Sequence, residues 1–237
     1  EIFAQLNDAA SELGVTLIGG HTETTVGVPR PIICGTMLGE ASPSETTRTS
    51  TTVPGDEIIL TSGIAIEGSA IISRESAHQL RIANVPDSVI NSAADFLDNP
   101  GISVVKAAQT ASSTGLVTAM HDPTEGGLAG ALDEMARASN TGVSIDTDSV
   151  HVYPETYAIC EAMNLDPWGL IASGALLITA KPGGSTEIIA GLNDSGIPAS
   201  IIGEVTPIEK GLTRTSNAVT EPIPTFERDE IARFYSD

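Results

Sequence analysis

Two carboxylates and two glycines stand close together in residues 122–127 (DPTEGG). Carboxylate oxygens are ligands that Mg²⁺ takes in proteins. A helix N-terminus offers N–H groups and a partial positive charge that suit a phosphate. Since carboxylates beside a phosphate would repel it unless a cation lay between them, the segment predicts a metal–phosphate site. The predicted metal ligands are Asp122 and Glu125, and the predicted phosphate neighbours are Thr124, Gly126 and Gly127.

The same residues also fit an ordinary helix start. Asp122 would cap the helix, Pro123 would occupy its first position and Glu125 its third. This interpretation leaves Gly126 and Gly127 unexplained, because each glycine in a first helical turn costs about 1 kcal/mol relative to alanine. Removing both side chains would let a ligand, or another stretch of backbone, approach the helix start. Both interpretations of the segment stay open.

A second glycine-rich segment follows a strand predicted over residues 15–18. Glycine permits positive φ at a strand end, and ligands of open α/β sheets gather at the carboxyl ends of strands. The residues predicted to contact a cofactor there are Gly19, Gly20, His21 and Thr22. A tight turn would have the same composition, so this segment alone does not establish a site.

Predicted strands and helices alternate along the chain, which is typical of an α/β or α+β layered fold. The remaining strands are predicted over residues 31–38, 57–60, 116–120, 143–145, 174–179 and 199–205. Helices are predicted over residues 2–13, 67–83, 87–98, 103–113, 155–163, 186–193 and 227–235, with one more directly after residue 127. Because residues 39–54 have the Ser, Thr, Pro and Gly content of a linker, we predict domains over 1–45 and 46–215 and a polar tail over 216–237.

The chain is strongly acidic, with 31 Asp and Glu against 11 Lys and Arg and a formal net charge of −20. Nucleic acids and anionic lipid surfaces are polyanions, so neither is expected as a partner. No apolar run approaches the roughly 20 residues that span a bilayer, and no signal peptide is recognisable. We expect a cytoplasmic protein in which Cys34 and Cys160 are reduced and buried.

Four segments, in this order, resemble the AIR synthase superfamily. They are residues 14–23 (GVTLIGGHTE), 54–63 (PGDEIILTSG), 121–143 (HDPTEGGLAGALDEMARASNTGV) and 165–178 (LDPWGLIASGALLI). The likeness runs over about residues 14 to 206. It is greatest to the HypE branch, the hydrogenase expression/formation proteins, because DPTxGGLA followed by LDP and ASGALLI is the pattern of that branch.

The resemblance implies a PurM-like protein of two α/β domains that uses ATP and Mg²⁺. In such proteins a C-terminal domain, a mixed sheet flanked by helices, closes over the phosphates. The N-terminal domain forms a homodimer and holds most ATP and metal ligands. Asp122 falls at the position of a magnesium–phosphate ligand, and the implied activity is phosphoryl transfer to an oxygen of an unidentified small-molecule substrate. The chain would then be a fragment without most of its N-terminal domain, and we expect it to be inactive alone.

Three departures from the HypE pattern keep other functions open. Glu125 resembles the second carboxylate of thiamine-monophosphate kinase, where HypE has Arg, and the GGHT stretch with His21 resembles selenophosphate synthetase. HypE proteins also end in a cysteine-bearing tail, whereas residues 234–237 contain no cysteine. The alternatives are a non-catalytic regulatory or interaction module on the same fold, or a small-molecule kinase of the thiamine-monophosphate kinase type.

Overall fold

The computed structural model describes residues 2–43 and 46–236. Its backbone divides into two units, Glu1–Ser42 and Pro43–Asp237. The first unit opens with helix α1 (Ile2–Glu12), and Gly14 just beyond it has a φ of +66°. A left-handed glycine ends helices readily because it has no Cβ to clash there, so this helix and its end match the sequence prediction.

The strands predicted over residues 15–18 and 31–38 do not form within the described part of the first unit. A strand is stabilised by hydrogen bonds to a neighbouring strand, and these two segments pair with none of the described residues. Their apolar side chains are accordingly exposed, by 86% at Ile18 and 82% at Leu38. The prediction that Cys34 is buried is wrong for the same reason, since no described sheet covers its exposed side chain.

The second unit alternates strands with helices. Its strands are β1 (Glu57–Thr61), β2 (Val117–His121), β3 (Gly142–Asp146), β4 (Leu177–Ala180), β5 (Ala199–Thr206), β6 (Leu212–Ser216) and β7 (Val219–Pro222). Its helices are α2 (Ile66–Glu75), α3 (Ala77–Ile82), α4 (Asp87–Ala94), α5 (Val105–Ser113), α6 (Gly127–Ser139), α7 (Pro154–Met163), α8 (Ser185–Asp194) and α9 (Glu230–Phe234). No helix in the described ranges is both long enough and apolar enough to cross a membrane.

The described strands form one seven-stranded mixed sheet in the order β2-β4-β1-β5-β3-β6-β7. Neighbouring strands are antiparallel, except that β3 and β6 are parallel. Strands β1 and β2 both pair antiparallel with β4, which lies between them, so Leu60 and His121 are both opposite Leu177. The carboxyl ends of β1 and β2 therefore lie at the same end of the sheet.

Alternating side chains of β1 are buried on opposite faces of the sheet. Ile58 and Leu60 pack in one apolar cluster with Leu132 of α6, whereas Ile59 packs in another with Ile188 of α8. These side chains are at most 2% exposed. Because successive side chains of a strand point to opposite faces, the unbroken apolar run of residues 58–60 needs cover on both sides of the sheet. The mixed sheet with helices on both faces confirms the predicted fold class.

Two local departures from the predicted elements have physical reasons. The helix predicted over residues 67–83 is interrupted at Ser76, whose φ of −125° and ψ of 26° are not helical, so α2 and α3 are separate. Strands β6 and β7 lie outside the predicted strands, since their polar residues lack the apolar alternation of a half-buried strand. Arg214 of β6, for example, forms an ion pair of 2.7 Å with Glu221 of β7 at the border of the sheet.

Cys160 of α7 should resist alkylation in the folded chain. Burial raises the pKa of its thiol to about 12, and the charges of Asp166 and Glu230 add to the shift. Because the thiolate is the reactive form, iodoacetamide at about pH 8 should label exposed Cys34 and leave Cys160 unmodified. Mass spectrometry before and after denaturation in urea measures this. A Cys34→Ser variant should take no label until it is denatured, and rapid labelling of that variant in its native state would contradict the prediction.

Candidate functional site

Helix α6 begins at Gly127, so residues 122–126 form a loop between β2 and α6, which we call the glycine loop. Gly126 is the residue before the helix and has a left-handed conformation, with φ 80° and ψ 0°. This backbone turn separates Asp122 and Glu125 from the helical path. The interpretation of Asp122 as the helix cap is therefore wrong. The cap position belongs to Gly126, which has no side chain to accept a hydrogen bond.

The two carboxylates of the glycine loop face solvent. Asp122 and Glu125 are both exposed, and neither side chain makes a hydrogen bond or ion pair with any residue that the structure describes. The loop lies at the carboxyl end of β2, at the same end of the sheet as the carboxyl end of β1. Both carboxylates are therefore available to an added cation.

The start of α6 is closed by the backbone of the protein itself. Gly127 is buried, and a Cβ placed on it would lie 2.6 Å from the Trp168 carbonyl oxygen and 2.7 Å from that of Leu170. The Ala129 N–H donates a hydrogen bond of 2.9 Å to the same Trp168 oxygen. The close approach of residues 168–170 thus accounts for the missing side chain at Gly127. For this glycine, of the two partners that the sequence allows, the structure contains the stretch of backbone, whereas Gly126 is favoured by its positive φ of 80°.

Asp229, which is not among the predicted site residues, places a negative charge at the start of α6. Its Oδ2 accepts the Gly126 N–H at 2.6 Å, and its Oδ1 accepts the N–H groups of Ile231 at 2.7 Å and Ile171 at 3.3 Å. The residue is buried, at 8% exposure. An Asp before a short helix is a recognisable cap in a sequence. Its bond to Gly126, 103 residues earlier, has no local signal.

The Asp229 carboxyl lies in an unfavourable electrostatic environment. Burial raises its pKa above the ordinary value, the N–H donors oppose this shift, and the negative charge of Glu125 adds to it. Like charges close together repel most strongly where water is excluded. A cation beside Glu125 would therefore lower the energy of both carboxylates.

Backbone acceptors take up further N–H groups at the start of α6. The Gly127 N–H donates to the Thr124 carbonyl oxygen at 3.0 Å, whereas the Gly130 N–H makes the first bond of the helix itself, to the Gly126 carbonyl oxygen at 2.9 Å. Together with the bonds of Gly126 and Ala129, the bond of Gly127 satisfies much of what a helix start offers a phosphate. Phosphate contact at Thr124, Gly126 and Gly127 stays a prediction, whereas the carboxylates of the glycine loop are open to a metal.

The start of α2 meets the same stretch of backbone as the start of α6. The Gly68 N–H donates to the Ile171 carbonyl oxygen at 3.1 Å, and the N–H of the next residue, Ala172, donates to the Thr124 carbonyl oxygen at 3.3 Å. Residues 168–172 therefore lie between the two helix starts and connect them. The glycine loop is held on one side by this segment.

The donor set of the glycine loop fits a magnesium ion that a phosphate helps to hold. Within residues 2–43 and 46–236, no three or more His, Cys, Asp or Glu side chains are grouped so that they could hold a metal by themselves. Mg²⁺ is usually bound by one or two carboxylates together with substrate phosphates and water. Asp122 and Glu125 meet the carboxylate part of that requirement.

The cofactor contacts predicted in the first unit lie in an exposed segment without helix or strand. Apart from the glycine and its two neighbours in the chain, no described residue has an atom within 4 Å of where a Cβ would stand on Gly19 or Gly20. The His21 Nε2 is 3.9 Å from a Glu23 carboxylate oxygen, and Thr22 is exposed. Because this segment belongs to the first unit and the glycine loop to the second, the roles of these residues as cofactor contacts stay predictions.

A mixed sheet covered by helices on both faces, with a glycine loop leading from β2 into α6, defines a domain of the AIR synthase type. Residues 53–212 match the family described as AIR synthase related protein, C-terminal domain. This match is well over half of the 237 residues, and the chain belongs to that family.

Individual relatives support the HypE branch. A Methanocaldococcus jannaschii protein named for hydrogenase expression and formation is 29% identical over 216 residues, which are 90% of this chain and 60% of the relative. The carbamoyl dehydratase HypE of Rhizobium leguminosarum bv. viciae is 29% identical over 201 residues, 83% of this chain and 54% of the relative. The predicted resemblance to this branch is confirmed, and the chain spans 54 to 60% of the length of these two relatives.

A solved structure has the same fold over nearly the whole chain. The crystal structure of the hydrogenase maturation protein HypE in complex with ATP has a TM-score of 0.70 at 22% identity. The likeness covers 96% of this chain and 68% of that one. At this level of identity it establishes the fold.

Alanine at Gly127 should cost more stability than alanine at Gly126. Both glycines have positive φ, of 60° and 80°, and at Gly127 the new Cβ would also press on the backbone oxygens of Trp168 and Leu170. At Gly126 the nearest neighbour of a Cβ is the Gly130 Cα at 3.4 Å. We expect the free energy of unfolding in urea to fall by about 1–2 kcal/mol for Gly126→Ala and by about 3–4 kcal/mol for Gly127→Ala.

The difference between the two variants is the informative quantity, because the strain of positive φ is common to both. Equal losses would mean that residues 168–170 do not press on the start of α6. The closed helix start described above would then be wrong.

Proposed function

We propose that this chain is part of a HypE-like, ATP- and Mg²⁺-dependent protein that activates a substrate oxygen by phosphoryl transfer. Relatives support an ATP-using role, because one is named a carbamoyl dehydratase and the similar HypE structure is a complex with ATP. The observation that carries the proposal is the pair of carboxylates of Asp122 and Glu125 just after the carboxyl end of β2, which are exposed and form no hydrogen bond or ion pair with the described residues.

Charge explains why such a site would need a cation. The chain carries 31 acidic and 11 basic residues, so few side chains can neutralise a triphosphate. Asp122 and Glu125 would hold Mg²⁺, which when bound neutralises the charge that develops on a transferring phosphoryl group. The contribution of the chain itself is position, since β2 and the glycine loop present both carboxylates at one end of the sheet.

The proposal extends to partners that the residues alone do not identify. The acceptor would be a small molecule with a nucleophilic oxygen, and the protein would act as a cytoplasmic homodimer. The additional cofactor contacts would be Gly19, Gly20, His21 and Thr22 from the first unit and Thr124, Gly126 and Gly127 from the second.

Asp122→Asn should weaken Mg·ATP binding at least about tenfold, a loss that even an outer-shell partner of a metal can cause. Isothermal titration calorimetry on the longest form of the protein that the gene encodes measures this. Asp194→Asn is the matched control, because Asp194 is an equally charged, exposed residue at the end of α8. It should bind within about twofold of the wild type, and equal binding by Asp122→Asn and the wild type would remove the metal role.

A non-catalytic interaction module on the same fold is the second candidate. Its support is the start of α6, where Asp229 and Thr124 take N–H groups of Gly126 and Gly127 that a phosphate would otherwise use. A protein that has kept the fold and lost the chemistry needs no free helix start. Glu125 separately supports the kinase alternative, since it supplies a second carboxylate beside Asp122.

Turnover separates these candidates. Under the first proposal, Mg²⁺-dependent release of ADP should accompany an oxygen-nucleophile substrate and fall at least about tenfold in Asp122→Asn. ADP release that requires thiamine monophosphate would favour the kinase. Mg·ATP binding without ADP release, across carbamoyl, carboxylate and phosphate-ester substrates, would favour the non-catalytic module.

A further inference from the structure

Residues 226–235, which we call the C-terminal clasp, contact the segment around residues 168–172, which lies between the starts of α2 and α6. The Glu230 N–H donates to the Gly169 carbonyl oxygen at 3.0 Å, and the Glu230 carboxylate accepts the Asp166 N–H at 3.1 Å. The ring of Phe226 lies so close to Gly169 that a Cβ there would be 2.7 Å from it. The clasp is thus held to this segment by two hydrogen bonds and by the packing of the Phe226 ring.

Asp229 adds a bond from the clasp to the glycine loop itself. One carboxylate oxygen caps α9 through the Ile231 N–H and also accepts the Ile171 N–H, while the other accepts the Gly126 N–H at 2.6 Å. A cap alone would use one oxygen. Since Asp229 is buried, its hydrogen bonds compete little with water and are stronger than they would be at the surface.

The bond to Gly126 matters because this glycine joins the exposed carboxylates to α6. A glycine with a φ of 80° has access to conformations that other residues do not, so the backbone at Gly126 could otherwise vary at little cost. The Asp229 carboxylate fixes the Gly126 N–H, and the Ala172 N–H binds the Thr124 carbonyl oxygen at 3.3 Å. The glycine loop is therefore held at two points, Gly126 and Thr124.

We propose that Asp229 is a positioning residue of the magnesium–nucleotide site: through Gly126 it holds the glycine loop in the conformation that presents Asp122 and Glu125 to the metal. The metal part of this inference rests on the proposed function, whereas the holding of the loop does not. Glu125 lies near enough to Asp229 for its charge to raise the pKa of that carboxyl. A cation at Glu125 would also relieve the repulsion between the two.

Asp229→Asn isolates the bond to Gly126 from the other bonds of this side chain. The Asn carbonyl oxygen can still accept from Ile231 and Ile171, which keeps the cap of α9 and the contact with the segment before β4. The NH₂ group would face the Gly126 N–H, so that two donors oppose each other. This variant should therefore fold with the clasp in place and the glycine loop released.

Glu230→Gln is the matched control for a general loosening of the clasp. It neutralises the neighbouring buried carboxylate, which accepts from Asp166 and from Arg233 at 2.9 Å and makes no hydrogen bond to the glycine loop among the described residues. An effect of the clasp as a whole should appear in both variants. An effect on the glycine loop should appear in Asp229→Asn alone.

Two measurements test the inference. Without ligand, hydrogen exchange of the Gly126 amide should be at least about tenfold faster in Asp229→Asn than in the wild type and unchanged in Glu230→Gln. In calorimetric titrations, Asp229→Asn should weaken Mg·ATP binding about tenfold and leave binding of ATP in EDTA within about twofold. A clasp that only stabilised the fold would change both titrations alike.

Several outcomes would overturn the inference. The first is an unchanged rate of hydrogen exchange at the Gly126 amide in folded Asp229→Asn. The second is an equal weakening of Mg·ATP binding by both variants. The third is tighter Mg·ATP binding by Asp229→Asn, which would mean that the carboxylate competes with the phosphates. If Asp229→Asn does not fold, hydrogen exchange of the wild type tests the inference instead. A wild-type Gly126 amide that exchanges as fast as an amide without a hydrogen bond would mean that Asp229 does not hold the loop. If the wild type binds no Mg·ATP, the proposed function fails, and the exchange result still decides whether Asp229 holds the loop.

Discussion

The close contact between the backbone of residues 168–170 and the start of α6 determines the arrangement of the sheet at the carboxyl end of β2. Residues 168–170 come so close to Gly127 that no side chain fits between them, and the next residue, Ile171, accepts the Gly68 N–H near the start of α2. Because protein interiors are close-packed and adjust little, this contact fixes the direction in which β2 continues into α6. It therefore also fixes where Asp122 leaves the sheet.

The local sequence pattern predicts an element correctly where the apolar residues of that element determine it. The pattern fails where a partner far away in the sequence determines whether the element forms. The unbroken apolar run of residues 58–60 marks β1, because only a strand covered on both faces tolerates it. Residues 31–38 also contain an apolar run, residues 32–34, yet form no strand within the described first unit. The apolar character of a segment indicates that its side chains need to be buried. It does not indicate which strand would pair with the segment.

The candidate site likewise contains residues that the local sequence indicates and residues that it does not indicate. Asp122 and Glu125 are predicted from residue type and spacing, since carboxylates beside glycines suggest a metal, and their role as metal ligands stays a prediction. The beginning of α6 could not be placed at Gly127, because an Asp-Pro-Thr-Glu sequence is itself a good helix start and only the positive φ of Gly126 overrides it. Nor could Asp229 be found, since the residue that it binds in this loop is 103 positions away.

The lateral borders of the sheet have a consequence for self-association. Strand β7 pairs on one side only within the described chain, and it carries Glu221 and Pro222, a charge and a residue without an N–H to offer a new strand. At the opposite border, the hydroxyls of Thr49 and Thr51 occupy carbonyl oxygens of β2. Neither border is a good template for edge-to-edge polymerisation. With a net charge of −20 repelling like molecules, the sheet of the second unit is suited to resist fibril growth through its borders.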